Sequence, residues 1–372
     1  MNARNGPAPP SRDQKSSIAE IMCTKVLCKQ PGRYIGWPTI ARRAGGELVV
    51  IFSGDRDAHV CPYGKGQIIR CRDRIAKGGA WRLDTSRWTE PVTINNTPLD
   101  DRDGGIIETR PGTLLVSWFT SLAFEQHMQP EWRRHVEKLG PETRRRWLGN
   151  WVRRSADGGR TWGEPIRTVA TAPHGPIQLR DGRLLYLGNG ELDGKAVIAA
   201  EESRDDGKTW KVIATVPVAG RRKGMRFCEP HLVETRSGSL VAMFRVEGVA
   251  AAHQFLYQSE SPDGGRSWSE PRRTAIWGYP PHLIRLSNGW LLVSYGRRKP
   301  PYGERACISG DEGKTWDVGN EITLCPAANG DLGYPASVQL ADGTILTVFY
   351  QIDRPGEKTC LMATHWRLTQ TE

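Results

Sequence analysis

The chain has 372 residues, a formal net charge of +11 at pH 7 and 38% hydrophobic content. Its 41 Gly, 25 Pro and 14 Trp suit many short strands joined by turns. No stretch approaches the roughly 20 apolar residues of a membrane span. The positive charge admits anionic partners, but no basic run is interleaved with aromatics, so nucleic acid is not expected.

In chain order, the opening MNARNGPAPPSRDQKSS is polar and Pro-rich with no apolar h-region, and reads as a disordered tail over 1–17. The sequence as written is expected in the cytoplasm, or in the periplasm or outside the cell if a leader has been lost. A strand near Ile21 to Cys28 comes next. Six copies of one pattern follow, from GWPTIARRAGGELVVIF to GYPASVQLADGTILTVFY, with turn glycines at Gly46, Gly112, Gly182, Gly238, Gly289 and Gly343. Each copy reads as an inner hairpin, which predicts six blades in one domain over 18–372. The first strand is expected to supply the outer strand of the last blade, closing the ring and removing a free edge.

The second repeat carries an insertion, Gln129 to Asn150. Pro130 marks a helix start, with Trp132, Val136 and Leu139 at i, i+4 and i+7. Its Arg133, Arg134, Arg144, Arg145 and Arg146 form either a basic wall over the mouth of the ring or, more plainly, a solvated helical decoration. The eight Cys show no CxxC and no disulfide spacing; buried free thiols are expected, which favours a reducing compartment. Neither a metal nor a cofactor is called for.

Four near-copies of one octapeptide stand out: SADGGRTW from Ser155, SRDDGKTW from Ser203, SPDGGRSW from Ser261 and SGDEGKTW from Ser309. The Asp can accept backbone N–H groups across a tight turn, the Gly supplies a positive φ, and the hydroxyls close the turn. The Trp can wedge against a neighbouring sheet. These octapeptides match the Asp-box (BNR) repeat, and the chain resembles the sialidase superfamily. That resemblance implies an all-β, six-bladed β-propeller, here with a short helical insertion in blade two.

In such a ring the starts of the inner strands converge on one mouth. Trp37, Asp101, Arg102, Asp103, His174, Glu229, His231, His282 and Tyr334 fall in that register. The resemblance implies an exo-glycosidase that grips a sugar carboxylate with arginines, with a Tyr–Glu pair as nucleophile and a loop Asp as acid/base. Carried over by position, Tyr334 is the nucleophile, Glu229 its base, and Arg245 and Arg305 the carboxylate clamp. A planar guanidinium fork suits a carboxylate. A neutral Tyr avoids driving an anion toward an already anionic centre, and sialidases are exceptions to the two-carboxylate pattern.

Blade one departs from the family, because Gly36 stands where its first Arg is expected; Arg56 or Arg102 is the candidate substitute. The acid/base loop offers Asp57 and His59, the latter with an ordinary pKa near 6.5. Asp103, His174, His231 and His282 complete the substrate-binding candidates. The leading expectation is a retaining exo-glycosidase removing a terminal sialic or related ulosonic acid from a glycan. One alternative is a propeller lyase or glycosidase acting on uronate-containing glycans through the His cluster. Another is a non-catalytic carbohydrate-binding propeller.

Overall fold

Each octapeptide folds as one closed turn. Ser155 Oγ donates to Asp157 Oδ1 at 2.8 Å and accepts the Gly159 N–H at 2.7 Å. Thr161 gives its N–H and its hydroxyl to the same carboxylate, at 3.0 and 2.6 Å. Asp205, Asp263 and Asp311 repeat this arrangement. In the third copy, hydrogen bonds led by the Ser267 hydroxyl hold Asp263 down to about 2. Gly159, Gly207, Gly265 and Gly313 all have φ between +82° and +92°, a backbone that a Cβ would strain.

The computed structural model describes residues 18–71, 80–218 and 223–369, so the tail expected over 1–17 lies outside the described residues. The chain begins with β1 (Ala19–Cys28). Blade one is β2 (Tyr34–Arg42), β3 (Leu48–Arg56), β4 (Lys65–Cys71) and β5 (Val92–Asn95). Blade two is β6 (Asp100–Glu108), β7 (Leu114–Ser121), β8 (Asn150–Ser155) and β9 (Ile166–Thr168). Blade three is β10 (Ile177–Gln178), β11 (Leu184–Leu192), β12 (Lys195–Ser203) and β13 (Lys211–Thr215). Blade four is β14 (Arg226–Glu234), β15 (Leu240–Glu247), β16 (Phe255–Ser261) and β17 (Arg272–Trp277). Blade five is β18 (His282–Arg285), β19 (Leu291–Arg297), β20 (Gly303–Ser309) and β21 (Ile322–Pro326). Blade six is β22 (Gly333–Gln339), β23 (Ile345–Gln351) and β24 (Cys360–Leu368), with β1 as its fourth strand.

The ring closes as the sequence implies. β1 runs antiparallel to β24, from Ala19 opposite Leu368 to Cys28 opposite Leu361. The Asp-boxes sit on the turns from third to fourth strand in blades two to five, at the face opposite the mouth. On that same face, several blades are latched to the next by one repeated bond. The last residue of an inner strand accepts a turn N–H from the blade before it. Glu108 takes Ala44 (2.5 Å), Gln178 takes Arg110 (2.7 Å), Glu234 takes Arg180 (2.8 Å) and Gln339 takes Ser287 (2.7 Å). Apolar side chains fill the wedges between sheets, as where Leu187 and Ile198 of blade three meet Leu232 and Phe244 of blade four.

The insertion is less regular than one helix. It comprises a 3-10 turn at Pro130–Trp132, then α1 (Arg133–Val136) and α2 (Pro141–Trp147). Pro141 has no N–H to continue a helix, but its fixed φ suits a first turn, so the helix restarts there. Trp132 and Leu139 are buried against Cys61, Leu99 and Phe124. Arg133, Arg134, Arg145 and Arg146 are exposed and Arg144 pairs with Glu125 at 2.6 Å, the solvated decoration rather than a wall. All eight cysteines are free.

Candidate active site

One backbone device builds the mouth. Four inner strands carry a register shift near their start: β2 between Gly36 and Thr39, β6 between Arg102 and Gly105, β14 between Cys228 and His231, and β22 between Gly333 and Ala336. Inside each shift sits a non-glycine residue in the left-handed region: Trp37 (φ +55°), Asp103 (+49°), Glu229 (+48°) and Tyr334 (+53°). Such bulges re-aim a side chain, and each left-handed residue costs roughly 1–3 kcal/mol. The same strained geometry at equivalent points of four blades marks these residues as the working set.

Tyr334 Oη donates to Glu229 Oε1 at 2.5 Å. Arg245, on β15, binds the other oxygen of Glu229 at 2.8 Å and Glu247 at 3.1 Å, with its guanidinium 4.6 Å from the Tyr279 ring centre. Burial, then the charges of Glu229 and Asp103, hold the Tyr334 pKa well above the ordinary phenol value. The phenol is therefore a protonated donor facing a carboxylate acceptor, the pairing the sequence implied.

A second guanidinium stands beside Tyr334, that of Arg298, a residue the sequence pattern did not point to. It follows β19, donates Nε–H to the Leu332 carbonyl at 2.9 Å and lies near Tyr350 Oη at 3.3 Å. Its guanidinium is 5.7 Å from the Tyr334 ring centre and 5.3 Å from that of Tyr279. Arg305, expected in the carboxylate clamp, stands on β20, two strands out from the mouth. It bonds the carbonyls of Pro301 and Glu304, both at 3.1 Å, and faces Glu321 at 3.4 Å. The residue before an Asp-box belongs to a third strand, so a position counted back from the box lands away from the mouth. The signal that marks Arg298 is the Arg297–Arg298–Lys299 run where β19 emerges.

In blade one a Cβ on Gly36 would meet the Tyr350 ring at 3.3 Å, so Tyr350 occupies the space beside it. Trp37 fills the mouth instead, with the guanidiniums of Arg56 and Arg102 at 4.9 and 4.8 Å from its ring centre. Arg56 is fully buried and engaged bidentately with Asp100 at 2.6 and 2.8 Å, which leaves it unsuited to gripping a substrate. Arg102 is different, because its buried Nε makes no hydrogen bond and faces only Asp103 Oδ1, at 3.8 Å.

Of the expected proton donors, Asp57 faces the insertion. Trp132 Nε1 donates to its Oδ2 at 2.8 Å, and Arg33 binds its Oδ1. His59 reaches the mouth, with Nδ1 3.1 Å from Tyr34 Oη and its ring edge-on to Trp37. Desolvation of the ring and then the guanidiniums of Arg102, Arg56, Arg298 and Arg245 hold its pKa well below the ordinary imidazole value. A neutral imidazole is a poor proton donor. Asp103 is buried; Ser53 Oγ accepts its backbone N–H at 3.0 Å, and its Oδ1 makes no hydrogen bond but faces Arg102 Nε at 3.8 Å. Burial pushes this carboxyl up to about 6 against the pull of Arg102. Asp101 is turned into the loop beside it, accepting from Thr97 N–H at 2.7 Å.

His174, His231 and His282 do converge, but beneath the mouth. Their ring centres are 4.5–5.6 Å apart and all three are buried. His231 Nδ1 accepts the Leu283 N–H at 2.9 Å and His282 Nδ1 accepts the Ser337 N–H at 3.2 Å, each clipping its blade to the next. His174 Nδ1 meets Thr39 Oγ1 at 3.0 Å. The trio plugs the channel under Tyr334, 6.3 Å from His174 by ring centres, and does not line the substrate wall as expected. Burial holds all three below the ordinary imidazole pKa. Among the described residues no group of three or more His, Cys, Asp or Glu is placed to hold a metal ion.

A family model described as "BNR repeat-like domain" matches residues 81–347. A crystal structure of a Dyadobacter fermentans protein of unknown function superposes with a TM-score of 0.75 at 24% identity, over 94% of this chain and 99% of that one. The intramolecular trans-sialidase from Ruminococcus gnavus, in complex with oseltamivir carboxylate, gives a TM-score of 0.59 at 13% identity, over 90% and 94%. The xyloglucanase Xgh74A of Acetivibrio thermocellus is 25% identical over 217 residues; the match takes in 50% of this chain and only 24% of that enzyme's length. At these identities the structural likenesses establish the sialidase-like propeller fold.

Proposed function

We propose that this chain, which belongs to the BNR repeat-like domain family, is a retaining exo-glycosidase of the sialidase type. Its substrate would be a glycan ending in an acidic sugar, sialic acid or a related ulosonic acid. The observation that carries this reading is the 2.5 Å bond from Tyr334 Oη to Glu229 Oε1, made by two left-handed bulge residues from blades four and six. Glu229 takes the phenol proton as Tyr334 Oη attacks the anomeric carbon. Arg245, bonded to the Glu229 that Tyr334 meets, and Arg298 stand where a carboxylate on that carbon would lie, and Arg102 faces Asp103 at 3.8 Å over the Trp37 ring. The burial of the three histidines withdraws them from the uronate-elimination alternative, which leaves it only His59 as an imidazole at the mouth.

The test is hydrolysis of 4-nitrophenyl α-ketosides of N-acetylneuraminic acid and of 3-deoxy-oct-2-ulosonic acid. Turnover of either, abolished by Tyr334→Phe with ligand binding kept, is the expected result. No turnover of either, with binding intact, supports a carbohydrate-binding propeller instead.

A further inference from the structure

We propose that the rim between blades four and five is a second anion site, which takes a further carboxylate or sulfate on the sugar next to the terminal acidic one. This rests on the glycosidase reading above and narrows its substrate class to glycans with two neighbouring negative charges. Three rungs, each a cation held over an aromatic ring, run outward from the mouth. At the inner rung the guanidiniums of Arg245 and Arg298 lie 4.6 and 5.3 Å from the Tyr279 ring centre. At the middle rung Lys299 Nζ and the Arg297 guanidinium lie 4.0 and 5.8 Å from the Trp277 ring centre. At the outer rung the Arg273 guanidinium lies 4.2 Å from the Phe255 ring centre.

The backbone sets this order. β17 ends at Trp277, and the chain then runs inward through Tyr279 to the start of β18. Beside it β19 emerges as Arg297–Arg298–Lys299, whose alternation sends Arg298 to Tyr279 and its two neighbours to Trp277. Tyr279 N–H donates to the Gly296 carbonyl at 2.9 Å, and Trp277 Nε1 donates to the Ala251 carbonyl at 2.9 Å, so both runs are fixed. The Trp277 and Tyr279 ring centres are 6.1 Å apart, a step comparable to one sugar residue. Both rings are buried, so they orient the cations and leave the ligand to them. The middle rung is short of negative charge. Among the described residues neither Arg297 nor Lys299 enters an ion pair, and Arg297 Nε is buried without a hydrogen bond. Glu321, whose charge reaches Lys299, is already bonded to Tyr295 Oη at 2.5 Å and faces Arg305 at 3.4 Å. Desolvation and then the charge of Arg297 disfavour the Lys299 ammonium, and an anion between the two relieves that repulsion. A guanidinium fork beside an ammonium suits an oxyanion.

The experiment is calorimetric binding to Tyr334→Phe, which reads affinity apart from turnover. Three ligands share a terminal N-acetylneuraminic acid: one joins it to lactose, one to a second N-acetylneuraminic acid, and one to galactose 6-sulfate. At least one of the two doubly anionic ligands should bind about tenfold tighter than the lactose-linked one, the scale of one charge-assisted contact. The tighter of the two identifies carboxylate or sulfate as the second anion. Adding Lys299→Met and Arg297→Gln, which keep most of each side chain's bulk, should erase that preference. The preference should also shrink as salt rises, a comparison that stands even if the rim variants fail to fold. Equal affinity for all three ligands, or a preference indifferent to salt and to the rim substitutions, overturns the second site while leaving the Tyr334–Glu229 pair intact. Binding of none of the three overturns the acidic-sugar reading, and this proposal with it.

Discussion

Tyr334 on β22 and Glu229 on β14 lie two blades apart, yet their side chains meet at 2.5 Å with the phenol as donor. Neither is placed by an ordinary strand backbone: both sit at positive φ inside a bulge, and each precedes a proline, which normally drives its predecessor to extended geometry. The fold maintains two strained residues whose side chains share one hydrogen bond.

Glu229→Gln removes the acceptor charge and keeps the shape. It should lower kcat by about 10²–10³-fold while an unsaturated sialic acid analogue binds within a few-fold of its original affinity, because Arg245 and Arg298 remain. Steady-state kinetics and calorimetry give the two quantities. Lost affinity with unchanged kcat would place Glu229 in substrate binding only.

Arg298 and Arg305 separate clamp from scaffold. Arg298→Ala should raise KM for an acidic glycoside by roughly 10–100-fold, the order of one lost charge-assisted contact. Arg305→Ala should leave KM nearly unchanged and lower Tm instead, since it bonds only within blade five. The reverse pattern would restore Arg305 to the site.

Asp103 also predicts a pH dependence of stability. Its folded pKa is raised to about 6, so the protonated group is tolerated below the ordinary carboxylate value near 3.9, and that advantage is lost as pH rises through about 6. The displacement amounts to at most ~3 kcal/mol. Asp103→Asn should therefore gain stability over the unsubstituted protein as pH goes from 4 to 7.5, in denaturant titrations. The buried histidines act in the opposite sense, weakening the fold as pH falls below about 6.5, but their effect cancels in the difference. A gap independent of pH would contradict the burial of an ionisable Asp103.

The insertion braces the loop carrying Asp57 through Trp132 Nε1 at 2.8 Å. Trp132→Phe deletes that bond from a buried position and should cost about 1 kcal/mol, a fall of roughly 1–2 °C in Tm for a chain of this length, with kcat altered less than about threefold. A loss of activity as large as that of Glu229→Gln would mean that Asp57 serves the chemistry directly.

Much of this arrangement was legible beforehand, for identifiable reasons. The Asp-box is a local motif whose turn-closing bonds lie within seven residues, so its turns could be derived from the octapeptide alone. Glu229, Arg245 and Tyr334 could be located because each sits at a fixed step from a turn glycine within its own blade. Arg298 could not, since it lies where a strand leaves the sheet and no repeat fixes its position. The histidines were placed at the right register but on the wrong level: Nδ1 contacts to Leu283 and Ser337 cross between blades, which no single repeat encodes. Asp57 was drawn away by Trp132, 75 residues later in the chain.

The central claim is that Tyr334 becomes covalently bonded to the sugar. Incubation with a 3-fluoro-2-fluoride derivative of the acidic sugar, which forms the glycosyl-enzyme quickly and hydrolyses it slowly, should add one sugar mass to the intact protein. Peptide mapping should place that mass on Tyr334, and Tyr334→Phe should show none. A substrate-competent enzyme that accumulates no adduct, or carries it on another residue, would contradict the account.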